Sequence, residues 1–263
     1  MNSDYKHSEH FSTIAPRYHD LRTTNVEPVS FIARQLESVP FINAVDVGCG
    51  TGRYTSLLLQ HLQDKSPLIH CVDYSVEMLK QLRLHFMEHN CQAASTINAS
   101  SPQLPFQNEI LNCVFTFNAI HHFGLWEFLD EATRVLQDRG HVFVYTRLRS
   151  QNSRNIWGRY FPLFTSKETR LYELDELENR ITETPGLTLK KIKYFKFKRK
   201  SDLADLIHRA QSHHYSTFDL YSVEEFNTAL EQFSRNLSDH FNDLNDIQWF
   251  DENVLLILQK TGH

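Results

Sequence analysis

Apolar positions along the chain alternate between short continuous runs and helical stripes. Residues 27–39 place Val29, Ile32, Ala33 and Leu36 on one helical face. A short apolar run ending at Val47 then breaks into a glycine-rich stretch. After it, 54–62 reads as a helix with Leu57, Leu58 and Leu62 inward. Residues 67–73 form a second predicted strand. Ser75 caps the next helix, with Met78 rather than an acid in its third position, and Val76, Leu79, Leu82 and Phe86 make that helix's stripe. A third strand is expected near 93–98. A fourth, at 110–118, is almost entirely apolar and is therefore expected at the sheet centre, buried on both faces. A helix over about 125–136 runs to Arg139-Gly140, where the glycine reads as its C-cap, and 141–146 is a fifth strand. Five strands alternating with helices predict a parallel sheet covered on both faces.

Beyond residue 146 the rhythm changes. Residues 147–170 read as irregular, polar and aromatic, and 173–184 as a short helix carrying Leu174, Leu177 and Ile181. Residues 188–198 alternate apolar and basic side chains. This pattern fits an edge strand whose lysines discourage mispairing better than a surface for a polyanion. Helices are expected at 201–211 and 223–236, separated by the polar and aromatic stretch 212–218, and a last apolar strand at 253–260.

Composition narrows the class. With 263 residues, 41% hydrophobic and 22% charged, the chain suits one α/β domain, or one domain with a sizeable insertion. A net charge of -5 makes a nucleic-acid partner an unfavoured reading. Cys49, Cys71, Cys91 and Cys113 are scattered without metal-ligand spacing and read as reduced thiols. The N-terminal residues lack an apolar signal segment and no run reaches membrane-spanning length, so the expectation is a soluble, cytoplasmic protein without a membrane span. Oligomeric state is not legible, and no metal site is expected.

The chemistry concentrates in Ala44-Val45-Asp46-Val47-Gly48-Cys49-Gly50-Thr51-Gly52. Glycine at every second position lets the backbone turn tightly and pass close to a ligand. Asp46 ends an apolar run, where a carboxylate must bond a turn or a polar ligand. The spacing is neither that of a dinucleotide fingerprint nor that of a phosphate-binding P-loop. About twenty residues further on, Asp73 ends the second strand, where a carboxylate can accept both hydroxyls of a ribose, and Tyr74 beside it could stack on adenine.

The Val45-Asp46-x-Gly48-x-Gly50-x-Gly52 form resembles the first motif of the class I S-adenosylmethionine-dependent methyltransferases, of the broad type that includes ubiquinone-pathway enzymes. Weaker likenesses follow in order. Phe11 to Arg22 resembles a lead-in whose Tyr18 and Arg22 would lie near cofactor or substrate, although His19 interrupts the usual Tyr-Asp pair. Ala99-Ser100-Ser101-Pro102-Gln103-Leu104-Pro105-Phe106 resembles the segment whose acid reads adenine, with Ser100 in place of the acid. Asn118-Ala119-Ile120-His121-His122-Phe123 resembles the segment closing the cofactor pocket.

The resemblance implies a Rossmann-like α/β fold: seven strands, mostly parallel, with an antiparallel last strand, helices on both faces and a helical cap. It implies lid helices over 1–40, a cofactor-binding core over 41–146, substrate-side insertions with the sixth strand and cap over 147–250, and the last core strand over 251–263, in one domain overall. The implied cofactor is S-adenosylmethionine, with S-adenosylhomocysteine as product. Its implied ligands are Asp46, Gly48, Cys49, Gly50, Gly52, Asp73, Tyr74, Ser100, Ser101 and Asn118, with Tyr18 and Arg22 from the lid. His121 and His122 read either as a general base or as pocket-wall residues that order the loop. His122, Trp157, His213, His214 and Tyr215 are the substrate-side candidates, and the histidines at 213–214 read equally well as a surface loop. The expected activity is methyl transfer to a small-molecule acceptor. The alternatives are a cofactor-binding partner without turnover, or an enzyme acting on RNA or protein.

Overall fold

The computed structural model describes residues 22–88 and 94–262. Tyr18, the rest of its lead-in and Cys91 lie outside the described residues. The chain divides into two compact units. One comprises Thr23–Thr146, Leu174–Lys193 and the residues from Val254 on; the other comprises Arg22, Arg147–Glu173 and Tyr194–Asn253.

The first unit is built on a seven-stranded sheet. Helix α1 (Val26–Gln35) leads into β1 (Asn43–Val47), α2 (Arg53–His61), β2 (Leu68–Asp73), α3 (Val76–Glu88), β3 (Ala94–Asn98) and β4 (Leu111–Phe117). Helix α4 (Leu125–Val135) passes directly into β5 (Leu136–Thr146). The strand order is β3-β2-β1-β4-β5-β7-β6, where β6 is Leu187–Ser201 and β7 is Ile247–Lys260. Strands β1 to β5 pair in parallel and β7 lies antiparallel to β5. This is the mixed, Rossmann-like sheet expected from the sequence. β4 occupies the middle, and all seven of its residues are buried. That is why its sequence is continuously apolar rather than alternating.

Boundaries differ from expectation at two main places: β7 begins at Ile247 rather than at 253, and α4 ends early. Gly140 does not cap α4, which ends at Val135 as Leu136 turns extended. The chain instead enters β5 early and bulges, shifting register between Leu111 and Cys113 of β4. Arg139, not Gly140, takes the left-handed conformation, at φ 62°. Glycine is needed at 140 for close approach, since a Cβ there would sit 2.9 Å from the Gln137 carbonyl oxygen and 3.1 Å from that of Asn112.

The second unit is helical and rich in aromatic side chains. Residues 147–170, expected to be irregular, instead form three short helices: α5 (Arg149–Arg154), α6 (Ile156–Tyr160) and α7 (Phe164–Lys167). In the chain α8 (Leu174–Glu183) comes next, in the sheet unit. Two helices of the second unit then follow β6: α9 (Leu203–Gln211), capped by Asp202, and α10 (Val223–His240), opened by a Ser222/Glu225 capping box. The three short helices are too short for periodicity to show, and they are held by their core instead. Trp157 is at its centre, within 5.5 Å of the rings of His214, Phe218 and Phe233. Phe161, Phe164, Leu206, Phe226 and Leu237 are among the other members of the cluster.

Candidate functional site

The site of the sheet unit lies where the parallel strands end, the place at which open α/β sheets bind ligands. All three glycines after β1 take positive φ: 70° at Gly48, 55° at Gly50 and 78° at Gly52. Their reasons differ. A Cβ at Gly48 would lie 2.6 Å from the Ala119 Cβ and 2.8 Å from the Phe123 ring. One at Gly52 would meet Leu82 of α3 at 2.8 Å, whereas one at Gly50 would meet nothing within 4 Å. Two glycines therefore admit close packing and the third leaves room. The turn is pinned by the Gly48 and Cys49 amides donating to the Val72 carbonyl at 2.8 and 3.1 Å.

Two carboxylates frame this turn. Asp73 accepts from the Gly50 amide and the Ser75 amide, each at 2.8 Å, while Ser75 Oγ caps α3 by accepting from the Met78 amide. Burial nevertheless raises the Asp73 pKa above the usual carboxylate value, against the opposing effect of these amides. Each of its oxygens keeps a further acceptor position. Asp46 is only 1% exposed. Its Oδ2 accepts from the Thr55 hydroxyl at 2.6 Å, but its Oδ1 is buried without a hydrogen-bond partner. Burial, with the Asp73 charge adding to it, pushes the Asp46 pKa up to about 7.

The remaining sheet-unit candidates follow the ends of β2, β3 and β4. Tyr74 is 66% exposed beside Asp73. Ser100 is exposed in a turn closed by the Gln103 amide, and Ser101 is buried. Asn118, at φ 54°, donates its amide to the Tyr145 carbonyl. His121 and His122 lie on a 3₁₀ turn with ring centroids 4.1 Å apart, both half-buried. Thr55 and Asn98 were not among the sequence candidates. Asn98 donates to the carbonyls of Asp73 and Tyr74, holding that loop. Thr55 could have been anticipated, because a buried Asp46 requires a donor and the first turn of α2 supplies one.

Arg22, Trp157, His213, His214 and Tyr215 belong to the second unit. Trp157 and His214 are buried in its aromatic core. His214 has its pKa driven well below the ordinary value by burial, with Arg22 adding to the effect, and its Nδ1 lies 3.0 Å from the Arg209 carbonyl oxygen. His213 pairs with Asp219 at 2.5 Å. Tyr215 lies under the Arg22 guanidinium at 4.3 Å from the ring centroid and accepts from Arg147 at 3.2 Å. Asp251, absent from the sequence candidates, pairs with both Arg147 and Arg199.

Among the described residues, no cluster of histidine, cysteine and acidic side chains could hold a metal, and no helix is long and apolar enough to cross a membrane. Cys71 and Cys113 are buried thiols, and Cys49 is half-buried in the glycine turn.

Residues 44–140 match the family model of a methyltransferase domain. Solved structures share the fold at low identity. A protein from Anabaena variabilis ATCC 29413, assigned as a methyltransferase of an antibiotic biosynthesis pathway, superposes with a TM-score of 0.65 at 20% identity, covering 89% of this chain and 98% of its own. Geranyl diphosphate C-methyltransferase from Streptomyces coelicolor A3(2), solved with Mg2+, geranyl-S-thiolodiphosphate and S-adenosyl-L-homocysteine, gives 0.53 at 16% identity, covering 88% and 76%. The [4+2]-cyclase SpnF gives 0.55 at 12% identity, covering 89% and 81%, so the fold by itself does not decide the reaction. No curated protein matches the chain by sequence.

Proposed function

We propose that this chain, a class I S-adenosylmethionine-dependent methyltransferase, methylates a small-molecule acceptor and releases S-adenosylhomocysteine. The observation that carries the reading is the buried, unpartnered Oδ1 of Asp46 beside a glycine turn with open space at Gly50. A buried acceptor without a partner is costly, and a ligand donor would relieve it. The amino group at the methionine end of the cofactor is such a donor, and its positive charge suits a carboxylate. Asp73, already oriented by two backbone amides, keeps acceptor positions for two hydroxyls. The residues present therefore fit the cofactor.

When bound, S-adenosylmethionine supplies an activated methyl on a sulfonium, so the chemistry resides in the cofactor and the protein supplies alignment and exclusion of water. Within that division, Asp46 and Thr55 would fix the amino-acid end, and Asp73 with Tyr74 the nucleoside end. Ser100, Ser101 and Asn118 would shape the remaining wall. His121 or His122 would take the proton, should the acceptor need to lose one. In the second unit, Tyr215, held by two arginines, is the proposed acceptor-side group.

A small acceptor is supported by the net charge of -5, which disfavours a polyanionic substrate. The Streptomyces relative was solved with a small molecule, geranyl-S-thiolodiphosphate. Calorimetric titration of S-adenosylmethionine and S-adenosylhomocysteine tests the cofactor reading. Wild type should bind both, and Asp73→Ala should bind neither measurably. Unchanged binding in the variant would remove Asp73 from the site.

A further inference from the structure

The basic alternation of β6 lines a cavity as well as an edge. In the second unit, a cavity of about 420 Å3 opens over the part of the sheet formed by residues 196–198 of β6 and 248–252 of β7. Its floor carries Lys196 and Lys198 from β6 and Phe250 and Glu252 from β7. Its walls are Arg159 and Tyr160 from α6, His240 and Phe241 at the end of α10, and Trp249. The volume is within the usual range for small-molecule sites, about 300–1,000 Å3.

The charge in this cavity is lopsided. Four permanent cations, Arg154, Arg159, Lys196 and Lys198, face the single carboxylate of Glu252. Glu252 is already shared: Arg154 donates to it from Nε at 2.8 Å, and Lys196 stands 3.7 Å away. Arg159 and Lys198 enter no ion pair among the described residues. Lys198 acts on Asp246 through charge alone, and Asp246 pairs with Lys200 at 3.3 Å. Arg159 bonds only the neighbouring Tyr160 phenol among the side chains described around it. Two cations are thus left without a carboxylate of their own, in a chain whose net charge is negative.

The apolar surface of the cavity is aromatic and partly fixed. The Trp249 indole donates to Asp251 at 3.3 Å, which sets its plane. Tyr160 packs against His240 and Phe241, with centroids at 5.0 and 5.6 Å. Phe250 is 47% exposed, with the Lys196 ammonium 4.6 Å from its ring centroid. Flat faces beside two uncompensated cations suit a flat ligand carrying two negative charges on one centre. A phosphate monoester provides both charges, whereas a carboxylate provides one.

We propose that this cavity binds a small aromatic phosphate monoester. The proposal rests on the second unit alone and stands apart from the cofactor reading.

The test is calorimetric titration of 1-naphthyl phosphate into the full chain, with S-adenosylhomocysteine at saturating concentration throughout. One-to-one binding is expected. Both 1-naphthol and inorganic phosphate should bind at least about tenfold more weakly, and added salt should weaken the phosphate ester but not the naphthol. The exposed pair Arg159→Glu/Lys198→Glu should weaken the ester by at least about tenfold while leaving the thermal unfolding midpoint in place, and Phe250→Ser should weaken it a few-fold. Inorganic phosphate binding as tightly as the ester would reduce the cavity to a charge patch and overturn the proposal. Indifference of the ester to the charge reversals would overturn it too, as would a short single-stranded oligonucleotide binding tenfold tighter than the ester. If S-adenosylhomocysteine itself does not bind, the cofactor reading fails while the cavity titration still gives its answer.

Discussion

Each unit buries a carboxylate, and the two are treated in opposite ways. Glu168 of the second unit is 4% exposed. Arg170 embraces it with Nε at 2.8 Å and Nη2 at 2.5 Å, and the Thr217 hydroxyl donates to it at 2.6 Å. Asp46 of the sheet unit is buried more deeply, yet has one hydroxyl partner, no cation within its described contacts and an unmatched oxygen. A buried acid that is fully satisfied holds structure together. On the proposed reading, the one that is left short, Asp46, is the one that a ligand completes.

The largest effect should come from breaking the satisfied acid. Glu168→Ala removes the carboxylate that both Arg170 and Thr217 bond and leaves the Arg170 guanidinium buried without it, and is expected to lower stability by about 3–5 kcal/mol in denaturant titrations. Affinity of the remaining folded protein for S-adenosylhomocysteine should stay within a few-fold. A collapse of affinity without loss of stability would erase the contrast.

Asp46→Asn should do the reverse, with cofactor affinity falling about tenfold or more. The stability sign follows from the raised pKa. Folded Asp46 keeps its proton to about pH 7, whereas the unfolded side chain loses it near 3.8. Its contribution to stability is fully present below that lower value and is lost as pH rises through about 7. The variant, which cannot ionise, should therefore melt higher than wild type at pH 8 and nearly level with it at pH 4. A melting difference that does not vary with pH would mean that Asp46 is not buried as an acid.

A related, smaller effect concerns binding. A ligand bearing a positive charge favours ionised Asp46, so wild-type affinity for S-adenosylmethionine should rise between pH 6 and 8, by at most about tenfold per unit below pH 7. Asp46→Asn should be flat over that range. The smallest effect is expected at Gly50→Ala. It places a side chain at φ 55° but in open space, so it should cost only about 1 kcal/mol of stability. Gly48→Ala, which drives a methyl into Ala119 and Phe123, should cost more.

The sheet unit was legible because its signals are local. Five strands with their helices, the all-apolar β4 at the centre and the glycine turn were each marked by a short run of residues. What escaped was set by partners distant in sequence. Gly140 reads as a helix cap, yet is required by the carbonyls of Gln137 and Asn112 across a bulge. In the second unit α9 and α10 were legible from their periodicity, whereas the three short helices over 149–167 have no period to display. Trp157 and His214, read as pocket residues, sit among the rings of a core assembled from four separate stretches of chain. Asp251 became visible only once β6 and the segment after β5 brought Arg199 and Arg147 to it.

The antiparallel pairing of β7 with β5 has a consequence for the order of synthesis. His141 to Thr146 emerge from the ribosome more than a hundred residues before their partners, Val254 to Gln259. β6 is also made earlier, and in the finished sheet its neighbour is β7. Two strands therefore wait with open edges while the aromatic helices are translated, several seconds at ordinary elongation rates. The run Val254 to Leu258, buried throughout, is the last piece to enter and closes both edges at once. Nascent chains stalled before residue 254 would present the apolar edge of β5 to other chains, whereas β6 waits behind its row of lysines.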